Sequence, residues 1–274
     1  MFIAFGSNGG GMSTTIEIDW NHTGTWIDET SRTRRIQIRT GFEHPLDAVA
    51  GIGGCTIRFD NSTRRFSPGN TAGPLYGKLL PRRQVRIATG GTVLFRGYIE
   101  RIVPESGGDE VVIECVDGIA LLKRQRVGVV YESSKSVTAA ITDLVNAAYS
   151  PPALDIHDNG DNLDHYGQAW KPEETTCLDA IRQICESVYG RFFVARDGTA
   201  TFITRADQQN PPASIGLEIS GTAVPDEMLI RLDVDSVINC AQVTVYPVET
   251  VGAIQEIWRA QTILRIAPGQ TREI

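Results

Sequence analysis

The best cation-binding pattern in the chain runs from Asp155 to Asp164 and also holds His157, Asp158, Asn159, Gly160, Asp161 and Asn162. Asp155, Asn159 and Gly160 fill positions 1, 5 and 6 of a calcium loop. His157 stands at position 3 and Tyr166 at position 12, so the bidentate glutamate of such a loop is missing. Asp and Asn also bond their own backbone readily, so the same residues read as a solvated turn, and no metal ligand is assigned. The four histidines, His22, His44, His157 and His165, make no HExxH pattern and no i, i+4 pair. A GxSxG elbow, a Walker sequence and a strand-linked GxGxxG are all missing. Glu100, Glu105, Asp109 and Glu110 gather near a strand end, but sugar cleavage needs two carboxyls at a set separation in a cleft, and acids at strand ends are ordinarily solvated. No catalytic residue and no cofactor is expected.

The cysteines are Cys55, Cys115, Cys177, Cys185 and Cys240. Their odd number and the lack of any CxxC pair exclude a usual zinc ribbon and argue against a disulfide framework. They read as small buried hydrophobes, with Cys177 and Cys185 on the apolar side of a helix. The arginines are more pointed. Arg32, Arg34, Arg35 and Arg39 largely alternate with Ile36 and Ile38, which suits the wet face of a strand or a contact with an acidic partner or passing DNA. Arg64-Arg65 and Arg82-Arg83 bracket a Pro/Gly-rich stretch. Residues 1–130 hold 16 Lys/Arg against 13 Asp/Glu, and residues 131–274 hold 10 against 20. That asymmetry suggests faces that meet different partners, and the acidic total argues against DNA binding by the whole chain.

The elements that must position these residues fall in three blocks. Residues 1–12 are Gly-rich and read as a flexible segment. Residues 13–130 alternate at period two in short runs, which predicts an antiparallel barrel or sandwich. Its hairpin turns at Gly90-Gly91, and residues 62–81 form a long Pro/Gly loop of the kind that is usually functional. Residues 131–210 are an inserted α+β region, with one helix around 137–148 and another over Thr176 to Tyr189. Thr176 with Asp179 suits its start and Gly190 its C′ position; a hairpin then turns at Asp197-Gly198. From residue 211 the pattern is β again to residue 274, as if a second domain stopped short. No apolar run approaches the ~20 residues of a membrane-spanning helix. The N-terminus makes a poor signal peptide, so synthesis in a cytoplasm is expected.

The stretch Gly54 to Leu122 resembles the minor tail and baseplate-hub proteins of tailed phages. The resemblance rests on Ile57 to Asn61, Arg65 to Asn70, Pro74 to Gly77, Pro81 to Ile87 and Leu94 to Ile99. The later order is also similar: a helix, Trp170, a second helix, the hairpin Phe192 to Gly198, then Asp233, Asp235, Asn239 and Val243. The resemblance implies a mainly β fold, with two tail-tube-like antiparallel barrels and helix-containing insertions between them. It implies a structural homotrimer at the tail tip, not an enzyme. Its partners would be the tail-tube ring or distal tail protein, the tape-measure protein and a fibre or central spike, with DNA passing through. It would be assembled in the bacterial cytoplasm and carried in the virion. Phe66, Pro68, Leu75, Tyr76, Arg82 and Arg83 are the expected subunit contacts on the long loop. The alternatives are a carbohydrate-binding attachment module and, further off, a cell-wall hydrolase.

Overall fold

The computed structural model describes residues 2–6, 14–44, 46–105, 109–128, 131–157, 160–167 and 170–209. The chain divides into two units, Met1–Ala213 and Ser214–Ile274. The expected second barrel over 211–274, its strands and Cys240 lie outside the described residues.

Eight strands form one antiparallel sheet. They are β1 (Phe2–Gly6), β2 (Thr14–Asp19), β3 (Ile27–Asp28), β4 (Thr33–Arg39), β5 (Gly54–Asp60), β6 (Gln84–Thr89), β7 (Thr92–Pro104) and β8 (Glu110–Val116). Their order is β1-β4-β5-β8-β7-β6-β2-β3. Alternation places Ile57 and Phe59 of β5 inside, opposite Ile113 and Val111 of β8. Residues 2–6, within the stretch read from sequence as a flexible segment, pair with the edge of β4.

Connectivity forces this sheet to roll. β3 and β4 stand six strand spacings apart in the order, about 29 Å if the sheet were flat. Only residues 29–32 join them, and an extended link of that size spans at most ~18 Å. The sheet must therefore curl until its ends approach. No pairing among the described residues closes it, so the observed form is a large open sheet, not a complete barrel. One apolar core fills its inner face, from Ile16 and Ile18 of β2 to Ile36 and Ile38 of β4.

A second core belongs to the α+β part. It gathers α1 (Gly118–Arg124), α2 (Val137–Asn146), α3 (Cys177–Val188) and a three-stranded sheet of β10 (Leu154–Ile156), β12 (Arg191–Val194) and β13 (Ala200–Ile203). A short pair, β9 (Lys135–Ser136) with β11 (Asn162–Leu163), lies beside it. The final described helix is α4 (Arg205–Gln209). The amide of Ala50 donates to the Phe192 carbonyl at 2.9 Å, which ties the loop between β4 and β5 to β12. Thr176 accepts from the Asp179 amide at 3.1 Å, as the capping pattern predicts. The left-handed residue that ends α3 is Tyr189 (φ 54°), one place earlier than the expected Gly190. Gly190 is required for space, since a β-carbon there would overlap the Phe202 ring. None of the described helices is long and apolar enough to cross a membrane.

Asp117 joins the two cores. It is 4% exposed, caps α1 through the Ile119 amide at 3.1 Å, and accepts from the Gly53 amide at 2.8 Å. Burial pushes its carboxyl up to about 7, against the pull of these amide donors. An unfolded aspartate titrates near pH 4 (about 3.9), so between about 4 and 7 the folded chain holds a proton that the unfolded chain has lost. The Asp117 contribution to stability is therefore expected to fall as pH rises through that window and to level off above it. Urea midpoints for wild type and Asp117→Asn across the window measure this: their difference should change with pH, and parallel curves would contradict it.

Candidate interaction surface

The loop between β5 and β6 carries the motif stretches Arg65 to Asn70 and Pro74 to Gly77. It is a series of turns set end to end. The amides of Arg64, Ser67, Asn70, Gly73 and Tyr76 donate to the carbonyls of Asn61, Arg64, Ser67, Asn70 and Gly73, at 2.7 to 3.3 Å. Each turn begins where the last one ends, so a stretch that reads as irregular has a period of three. Asn61, 5% exposed, fixes the start: its Oδ1 accepts from the Phe66 amide at 2.9 Å and its Nδ2 donates to Ser67 Oγ at 3.0 Å. Asn70 Nδ2 donates to the Arg64 carbonyl at 3.0 Å.

Three apolar side chains press this loop into the rolled sheet. Phe66 is fully buried, stacked on Phe59 at 4.9 Å and tilted against Trp20 at 6.0 Å. Leu75 and Leu79 are also buried in that core. Burying a side chain of this size contributes about 1.5–3 kcal/mol.

A charge sits beside them. Glu29 has no solvent exposure. Arg65 holds it with two parallel bonds, Nη2 to Oε1 at 2.6 Å and Nε to Oε2 at 3.1 Å. Trp20 Nε1 donates to Oε1 at 3.1 Å and Arg32 Nη1 to Oε2 at 3.4 Å. Its backbone is used as well, the amide bonding the Ile16 carbonyl at 2.9 Å. The burial of Glu29 gives no signal in the sequence, where it reads as one more polar residue in a turn.

The expected contact residues thus separate. Phe66 and Leu75 face the chain's own core. Pro68, Tyr76 and Arg82 are exposed; Arg83 is half-buried and donates to the Lys78 carbonyl at 3.4 Å. Leu80 (47% exposed) and Tyr149 (65%) were not singled out from sequence, and the Arg82 guanidinium lies over the Tyr149 ring at 5.5 Å. Arg64 (φ 55°) and Arg82 (φ 66°) both take the left-handed conformation, which costs about 1–2 kcal/mol for a residue with a β-carbon.

The carboxylates weighed for catalysis are mostly held in ion pairs. Glu105 meets Arg58 at 3.1 Å, Glu110 meets Arg34 at 2.7 Å, and Glu100 meets Arg124. Arg34 holds the Glu110 carboxyl below the usual range. In the acidic loop, His157 Nδ1 lies 3.3 Å from Asp207. Asp158 and Asn159 lie outside the described residues, and among the described ones no cluster has the makings of a metal site. A cavity of about 120 Å³ is lined by Arg96, Tyr98, Ser150, Pro152, Asp197 and Thr199, and more open hollows reach about 370 to 530 Å³.

No family model matches the chain, and no curated protein matches it. It is similar to a number of solved structures, among them three tail proteins. The 43 kDa tail protein of prophage MuSo2 from Shewanella oneidensis is 11% identical, with a TM-score of 0.48 over 70% of this chain and 54% of that one. The tail protein from Neisseria meningitidis MC58 is 15% identical, with a TM-score of 0.49 over 70% and 50%. The prophage tail protein gp18 from Listeria monocytogenes EGD-e is 11% identical, with a TM-score of 0.45 over 71% and 51%. The chain spans about half the length of each.

Arg65→Ala is expected to destabilise the chain by about 3–5 kcal/mol, because it leaves a buried carboxylate without its main partner. The pair change Glu29→Leu with Arg65→Met should recover part of that loss. Urea unfolding of the variants measures both, and a loss under ~1 kcal/mol for Arg65→Ala would contradict the role of the pair.

Proposed function

We propose that the chain is a structural subunit of a phage tail, and within it a tail-tip hub: a homotrimer that caps the tail tube, encloses the DNA path and anchors fibre or spike proteins. The observation that carries this reading is where the family-like motif residues go. Asn61, Arg65, Phe66 and Asn70 are spent on turning a loop and fastening it to a rolled antiparallel sheet. Such residues build a scaffold, and their chemistry is packing and hydrogen bonding, not catalysis. Among the described residues the rolled sheet also leaves edges, at β1 and β3, that other chains can extend.

In this reading residues 211–274 contribute to a second barrel of the same kind. Three two-barrel chains then offer six similar edges to a six-fold tube ring. The neighbours are a tube ring or distal tail protein above, the tape-measure protein within and the fibre or spike below. The protein is assembled in the host cytoplasm and remains at the tail tip of the virion. It acts without a cofactor and as no enzyme.

Light scattering on the purified full chain, alone and with tail-tube subunits, tests the reading. The expected mass is that of a trimer, formed alone or on the tube. A monomer that joins no ring but binds or cleaves cell-wall sugar would overturn it.

A further inference from the structure

Each arginine pair of the loop divides its work. Arg65 and Arg83 turn inward, one to Glu29 and the other to the Lys78 carbonyl. Arg64 and Arg82 stay exposed, and among the described residues no carboxylate lies within ion-pair distance of either. Both hold the left-handed backbone that Asn or Gly would take at lower cost. Their inward neighbours account for the loop's anchorage; among the described residues Arg82 meets only the exposed Tyr149 ring and Arg64 makes no side-chain contact with a charged or aromatic group. Tyr76, Leu80 and Tyr149 are exposed on the same loop and beside Arg82. Arginine with aromatic rings is the composition that protein interfaces enrich.

Charge indicates what covers this surface. Residues 131–210 carry 6 Lys/Arg against 12 Asp/Glu, whereas 1–130 carry a basic excess. Asp155 and Asp164 of the acidic stretch are exposed, and among the described residues no Lys or Arg lies within ion-pair distance of either. Exposed cations on one part of the chain and exposed acids on another can satisfy each other between copies. Because the two patches differ, the contact repeats head to tail, and that is how a cyclic ring is made.

Resting on the trimer reading above, we propose that the surface around Arg64, Tyr76 and Arg82 docks on the acidic surface of a second copy that carries Asp155 and Asp164, with the two arginines facing those two residues. The full chain is tested by sedimentation at several concentrations and ionic strengths. Arg64→Glu with Arg82→Glu is expected to weaken self-association about a hundredfold, since like charges then face each other. Asp155→Lys with Asp164→Lys should do the same, and all four changes in one chain should restore the trimer. Rising salt should weaken the wild type. The neutral pair Arg64→Gln with Arg82→Gln serves if a reversal fails to fold, and a smaller loss of association is expected from it. A trimer unmoved by the arginine changes overturns this contact and leaves the trimer reading standing. A swapped chain that stays monomeric overturns the acidic surface as the partner. A wild type that is monomeric at every concentration, and also on the tail tube, overturns both.

Discussion

The buried carboxylate of Glu29 is where the constraints on the sheet meet. It lies in the short link from β3 to β4, which by its length obliges eight strands to roll. A charge taken out of water is costly unless it is paired and hydrogen-bonded. Four donors answer it: two from Arg65, one from Trp20 and one from Arg32. Trp20 directly follows β2 and Arg65 lies in the first turns of the long loop, so this one group fastens an edge of the sheet, its crossing link and the loop that covers its core.

The loop follows from that anchorage. Once Arg65 is fixed, Phe66 enters the space between Phe59 and Trp20, and Asn61 holds the first turns by bonding the Phe66 amide. The succession of three-residue turns then leaves inward positions for Leu75 and Leu79 and outward ones for Tyr76 and Leu80. Packing and presentation are thus two outcomes of one backbone path. The residues that secure the loop are not the residues available to a neighbour.

The α+β part is joined to the sheet by polar groups as well as by apolar ones. Asp117 bonds Gly53 at the start of β5 while capping α1, and Tyr98 of β7 donates to the Ser150 carbonyl at 3.3 Å. Ser150 is itself left-handed (φ 59°), next to the exposed Tyr149. The junction therefore helps to place the ring over which Arg82 lies.

Much of this was legible in the sequence where the signal is local. Period-two alternation marked β2, β4, β5 and β8, because a strand buried on one face must alternate. Gly90-Gly91 marked the hairpin, and both residues do take positive φ. Thr176 marked the start of α3, because its hydroxyl can reach an amide three residues on. Non-local features were not legible. That the sheet rolls, yet is not closed by pairing among the described residues, depends on strand order. That Glu29 is buried depends on an arginine 36 positions away. Phe66 and Tyr76 read alike as apolar anchors, yet one is fully buried and the other 53% exposed. Sequence determined which residues could form strands, turns and contacts; only the tertiary path decided which way each side chain faces, because facing is set by what the rest of the chain puts on the other side.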